Sequence, residues 1–227
     1  MVNTQEKFLR ELKNLFWENS LNPDIYQLER LARYANLLVE KNESINLISR
    51  KDAKNVIENH IFASAFLSEF LPDKVSNFVD IGTGGGLPGI PLAILNPLLH
   101  GVLVDSTNKK IDAVKGFLED LKLSNVTAES FRVESNEFIE KYADSFDFVI
   151  SRASVPLIIL LRYAIPLIKE KAYVLSVKGG ELDKEFRTAE LKYKAYIKKS
   201  TVFELAYKPT NAKNEKGKRL IMLELSK

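Results

Sequence analysis

Five glycines fall within eight residues of this chain, at Gly82, Gly84, Gly85, Gly86 and Gly89, directly after the apolar run Phe78-Val-Asp-Ile81. Without a Cβ such a turn lets a ligand lie against the backbone N–H groups, and Pro88 suits the first turn of a following helix. A second apolar run, Gly101-Val-Leu-Val104, ends in Asp105, 19 residues past Gly86. A carboxylate at the tip of a second strand, about 20 residues beyond a glycine loop, is placed to accept hydrogen bonds from ribose hydroxyls. The two features together point to a cofactor that contains a nucleoside.

Three cofactor classes then separate on spacing. A phosphate-cradling loop needs Lys-Ser/Thr after its last glycine, and this chain has Ile90-Pro91. Gly84-x-Gly86-x-x-Gly89 is a literal match to the dinucleotide fingerprint, but there the first glycine follows the strand directly. Here that glycine is Gly82, whose frame is G-x-G-x-G with Asp80 before it, the arrangement associated with S-adenosylmethionine. On these residues alone a nicotinamide dinucleotide stays open, although no Ser-Tyr-Lys or His-Asp proton-transfer group stands out after the fourth strand. Asp80 either meets the cofactor's amino group or fixes the glycine turn through backbone hydrogen bonds.

The loop has to be carried by alternating strands and helices. From Val75 onward strands are expected at 76–81, 101–105, 125–130, 146–151 and 172–177, with helices at 88–96, 108–122, 134–142, 155–168 and 181–191. Two β-rich runs at 195–207 and 218–226 should close the sheet as an antiparallel pair. The first 70 residues carry no glycine and read as three helices. Phe8, Leu9, Leu12, Leu15 and Phe16 recur at helical spacing, and Asn22-Pro23 reads as a cap with proline at the first helical position. Leu28, Leu31, Ala32, Ala35, Leu38 and Val39 make the second stripe, and a third helix should run from Ala53 to Leu71.

Composition narrows the function classes. There are no cysteines and only two histidines, His60 and His100, which argues against disulfides, thiolate zinc sites and histidine-based metal centres. The start lacks the apolar core of a signal peptide, and Arg162 interrupts the longest apolar stretch, so a cytoplasmic protein with no membrane span and no metal is expected, as a monomer. Residues 184–227 hold 12 Lys or Arg against 5 Asp or Glu, a balance of +7 within a net charge of +3. Phosphate-backbone binding would need such a basic end, although lysines on surface strands also serve solubility.

Several segments together carry a family likeness: Asp80-Ile-Gly-Thr-Gly-Gly-Gly-Leu-Pro-Gly-Ile-Pro-Leu92, Val104-Asp-Ser106, Arg132-Val-Glu134, Phe146-Asp-Phe-Val-Ile-Ser-Arg-Ala153 and Lys178-Gly179. In order and spacing they resemble the RsmG family, also called glucose-inhibited division protein B, bacterial methyltransferases that modify N7 of one guanine in the decoding-region loop of 16S rRNA. Ser44-Ile-Asn-Leu-Ile-Ser49 and Asn59-His-Ile61 extend the likeness upstream, with Asn59 and Ala63 standing where the family usually has Arg and Asp. The resemblance implies an α/β, Rossmann-like class I S-adenosylmethionine-dependent methyltransferase with a seven-stranded, mostly parallel sheet at 73–227 and an N-terminal helical subdomain at 1–72. It implies that Gly82 and Leu87 line the cofactor with Asp80, Gly84 and Gly86, that Asp105 and Ser106 sit by the ribose, that Val133 and Glu134 flank the adenine, and that Arg152 completes the pocket. Arg152 would bond the cofactor's carboxylate or guanine O6; the plain alternative is an ion pair with Asp147 or Asp80. Glu134 could instead cap a helix.

The implied partner is 16S rRNA or the 30S subunit. Arg50, Lys51, Lys54, Lys109, Lys110, Lys208, Lys213, Lys216, Lys218 and Arg219 are the candidate phosphate contacts. Guanine N7 has an in-plane lone pair and no proton, so no general base is required and no catalytic acid or base is assigned.

Overall fold

The computed structural model describes residues 4–49, 53–152, 155–179, 183–208 and 218–227. Two long helices come first, α1 at Thr4–Glu18 and α2 at Ile25–Asn42. The cap of α2 is Asp24 rather than Asn22-Pro23. Asp24 Oδ1 accepts from the Gln27 N–H at 2.8 Å while Gln27 Oε1 accepts from the Asp24 N–H at 3.0 Å, and this reciprocal capping box outcompetes the proline signal two residues earlier. Gln27 Nε2 also donates to the carbonyls of Ile94 and Leu95 at 3.3 and 3.1 Å.

The expected third helix is broken into pieces. A 3-10 turn at Ala53–Asn55 leads to a π-helix at Ile57–Phe62, an α-helical turn α3 at Ala63–Ala65 and a second 3-10 stretch at Phe66–Phe70. Apolar periodicity cannot register such a change of winding, because residues 56–67 are buried on nearly every side and leave no exposed face to set a period.

Seven strands follow: β1 Asn77–Ile81, β2 His100–Asp105, β3 Val126–Ser130, β4 Phe146–Arg152, β5 Ile168–Gly179, β6 Ile197–Glu204 and β7 Lys218–Ser226. They form one sheet in the order β3-β2-β1-β4-β5-β7-β6. β1 to β5 pair in parallel, and β7 is antiparallel to both neighbours. The crossover helices are α4 Gly89–Leu95, α5 Asn108–Asp120, α6 Asn136–Tyr142, α7 Leu157–Leu167 and α8 Asp183–Lys192. β5 starts four residues before its expected position, because Ile168 already pairs with Phe146.

Two cores flank the sheet. One gathers Leu12 and Phe16 of α1, Leu31 and Leu38 of α2, Ile61 and Phe62, and residues of α4 and α5 against Phe78, Leu103, Phe148 and Ile150. The other packs α6, α7 and α8 against Val79, Ile81, Val104, Val149 and Val174. Because the pleat alternates sides, Asp80 shares the face of Phe78, and Arg152 shares that of Phe148 and Ile150. Both therefore face the N-terminal helices. Strand order reverses between β1 and β4, which opens a crevice at the carboxyl ends of the strands.

Candidate cofactor site

The glycine loop leaves β1 and returns into α4 with left-handed backbone at Gly82, Gly84 and Gly86, where φ is 73°, 59° and 97°. Gly84 shows what that conformation serves. An added Cβ there would meet no atom within 4 Å, so the loop crest faces open space, while the Gly84 N–H donates to Asp105 Oδ2 at 3.1 Å. Asp105 Oδ1 accepts from the Thr107 N–H at 2.9 Å, and Lys110 Nζ stands 3.8 Å from Oδ2. The tip of β2 is thus tied to the crest of the loop, as the 19-residue spacing requires.

Beside this tie lies a cleft of about 250 Å³ whose lining includes Ile81, Gly82, Asp105, Ser106, Val133 and Glu134. Five expected site residues, Gly82, Asp105, Ser106, Val133 and Glu134, converge there. Phe131 and Arg132 at the end of β3, Val155, and Tyr163 of α7 complete the wall. Phe131 and Tyr163 escaped the sequence reading because an aromatic in an apolar run carries no positional signal; Phe131 follows β3 closely enough to have been a candidate. Glu134 is not the cap of α6, since Ser135 Oγ accepts from the Phe138 N–H at 3.3 Å. Its exposed carboxylate stays at the cleft wall.

Asp80, Gly86, Leu87 and Arg152 are not part of that lining. Asp80 is fully buried, and its Oδ2 accepts from Thr83 Oγ1 at 2.7 Å and from the Gly89 N–H at 2.9 Å. It therefore fixes the glycine turn and the start of α4. Its other oxygen, Oδ1, is buried without a partner. Burial pushes its pKa up to about 7, against the lowering by Thr83, Gly89 and Arg152. Gly86 donates its N–H to the Thr83 carbonyl at 2.9 Å. Leu87 is packed into the core on the helical side, so it is not brought into the cleft.

Arg152 departs most from expectation. Nη1 donates to Ser64 Oγ at 2.7 Å and to the His60 carbonyl at 3.3 Å, and Nη2 donates to the Asn59 carbonyl at 3.2 Å with His60 Nδ1 at 2.7 Å. An arginine has no acceptor, so His60 Nδ1 must be the unprotonated nitrogen. The guanidinium lies outside the cleft lining and locks the tip of β4 to the π-helix. Asp147, offered as an ion-pair partner, sits at the opposite end of β4. It accepts from the Ser76 and Asn77 N–H groups at 3.0 and 2.9 Å and from Lys169 at 3.0 Å, and these contacts hold its carboxyl below the usual range.

The basic residues divide. Lys54, Lys109 and Lys208 are exposed, whereas Lys110 turns toward Asp105. Lys218 and Arg219 open β7 and are half-buried. Arg50, Lys51, Lys213 and Lys216 lie outside the described residues. The segment after β6 crosses onto the N-terminal helices. Tyr207 stacks edge-on against Phe62 with ring centroids 5.1 Å apart and donates to the Glu58 carbonyl, while Lys208 and Asn19 exchange two hydrogen bonds of 2.8 and 2.7 Å. Among the described residues no cluster of three or more metal-ligating side chains occurs, and no helix is long and apolar enough to cross a membrane.

The lining fits a nucleoside. Asp105 and Glu134 are acceptors at the cleft, apolar walls stand beside them, and the crest of Gly84 is open. A 3-2-1-4-5-7-6 sheet with this site defines the class I S-adenosylmethionine-dependent methyltransferases. Solved structures share that fold at low identity. An O-methyltransferase from Bacillus cereus in complex with SAH superposes with a TM-score of 0.59 at 15% identity, covering 98% of this chain and 100% of that one. A SAM-dependent methyltransferase from Aquifex aeolicus gives 0.55 at 16%, covering 82% and 95%.

Sequence similarity is more specific. The GidB model, described as rRNA small subunit methyltransferase G, matches residues 27–214. A ribosomal RNA small subunit methyltransferase G of Chlorobium luteolum is 43% identical over 179 residues, 78% of this chain and 73% of that protein, and one of Psychromonas ingrahamii is 38% identical over 189 residues, 80% and 88%. The chain belongs to the rRNA small subunit methyltransferase G family, and it is an S-adenosylmethionine-dependent methyltransferase.

Proposed function

We propose that this enzyme methylates N7 of one guanine in the decoding-region loop of 16S rRNA. The observation that carries the reading is the family match across residues 27–214, and the +7 balance of residues 184–227 supports it. In this reading residues 1–72 are a helical subdomain beside the catalytic domain at 73–227. Exposed Lys54, Lys109 and Lys208 contact backbone phosphates in the cytoplasm, where the ribosome is the partner.

S-adenosylmethionine, when bound, supplies an electrophilic methyl group. Asp105 and Ser106 would hold its ribose, Val133 and Glu134 would flank its adenine, and the loop at Gly82 and Gly84 would let it approach the backbone. Guanine N7 has no proton to lose, so the chain's task is orientation and exclusion of water. The acids agree with this division, since Asp80 and Asp105 are engaged with loop N–H groups.

The test is transfer of labelled methyl groups into 30S subunits and naked 16S rRNA from a strain lacking this gene, followed by mapping of the labelled nucleotide. Label on a single N7-methylguanine in the decoding-region loop is expected. Label elsewhere, or in neither substrate, would refute the acceptor while leaving the cofactor site standing.

A further inference from the structure

The N-terminal helices touch the backbone of the glycine loop itself. Tyr34, fully buried on α2, donates its hydroxyl to the Gly85 carbonyl at 2.8 Å. The same helix and the segment after it wall the loop closely: a Cβ added at Gly85 would meet Leu38 Cδ1 at 2.9 Å and Leu47 Cβ at 3.2 Å. One added at Gly86 would lie 3.3 Å from the Tyr34 hydroxyl. The loop is therefore gripped from two sides. Asp105 holds the Gly84 N–H on the cleft side, and Tyr34 holds the Gly85 carbonyl at the rear.

Chemistry makes this grip specific. A phenol is a neutral donor on a rigid ring, and burial pushes the Tyr34 pKa well up, so the donor keeps its proton across the working range. The two peptide units flanking Gly85 bear on the crest at Gly84, where the open face lies. A rotation there has to be taken up at Gly84, whose N–H is held by Asp105 at the rim of the cleft.

We propose that Tyr34 is a positioning residue for S-adenosylmethionine, acting through the Gly85 carbonyl, so that the N-terminal helical layer forms part of the cofactor site. The inference concerns the cofactor and is independent of which acceptor is methylated.

Tyr34→Phe tests it, because the ring is kept and only the hydroxyl is lost. Calorimetry with S-adenosylhomocysteine should give a Kd raised about five- to tenfold, as expected for one buried hydrogen bond. The KM for S-adenosylmethionine should rise by the same factor, with kcat and the KM for RNA within about twofold of wild type. A lowered melting temperature with unchanged Kd would assign Tyr34 to stability alone and overturn the proposal, as would a loss confined to kcat. If the variant does not fold, wild-type protein labelled at the Gly85 carbonyl carbon and the tyrosine rings serves instead. Saturation with S-adenosylhomocysteine should shift both the Gly85 and the Tyr34 resonances; if both stay in place, the coupling does not exist.

Discussion

Asp80 is a buried acid whose two oxygens have different fates. Oδ2 takes the Thr83 hydroxyl and the Gly89 N–H, while Oδ1 has no donor. Its pKa lies at about 7, above the ordinary 3.8, so folding favours the protonated acid. That contribution to stability is fully present below pH of about 4 and is lost as pH rises through about 7. Asp80→Asn should therefore melt progressively higher relative to wild type between pH 4 and 7, with a constant difference above; a pH-independent difference in thermal unfolding would contradict the raised pKa. Arg152 makes a second prediction at this scale. Because its fork joins β4 to Asn59, His60 and Ser64, Arg152→Ala should cost about 2–3 kcal/mol in urea unfolding. Arg152→Lys should recover little, since a point charge cannot bridge those acceptors. Equal stability of wild type and Arg152→Ala would show that this fork does not hold β4 to the N-terminal layer.

Among the elements, the joints decide more than the elements themselves. Gln27 serves the start of α2 and the end of α4 at once, closing a capping box and covering the Ile94 and Leu95 carbonyls. Loss of both functions in Gln27→Ala should lower stability by about 1–2 kcal/mol, read as a shift in the denaturant midpoint with unchanged slope. Gly86 gives the opposite kind of constraint. An added methyl would stand 2.4 Å from Ile90 Cδ1 at a φ of +97°, which makes Gly86→Ala more damaging than substitution at the open position Gly84.

For the whole molecule, the consequence is where the chain goes after β6. Tyr207 docks on Phe62 and Phe66, and Lys208 is bound to Asn19, so Lys208 stands on the N-terminal helical layer, which also carries the exposed Lys54. The paired substitution Lys54→Glu with Lys208→Glu should weaken binding to 30S subunits and lower the salt slope by about one unit for each phosphate that is no longer neutralised. Affinity for S-adenosylhomocysteine should stay within about twofold. An unchanged salt slope would remove these lysines from the RNA surface.

The glycine loop, the acid at its strand, the acid 19 residues on and the alternation of strand and helix were all legible in the linear chain, since each is a local requirement. Turn conformation needs particular residues at particular positions, and a parallel strand buried on both faces reads as an apolar run. Even the face of Arg152 was implicit, because a period of two puts it with Phe148 and Ile150. What lies opposite that face was not. Only the folded molecule turned Arg152 toward the π-helix, gave the Asp80 oxygens unequal partners, brought Tyr34 to Gly85 across 51 residues of chain and set Lys208 against Asn19 across 189. Contacts of that kind arise from packing two layers on one sheet, and no spacing along the chain encodes which side chains meet when the layers close.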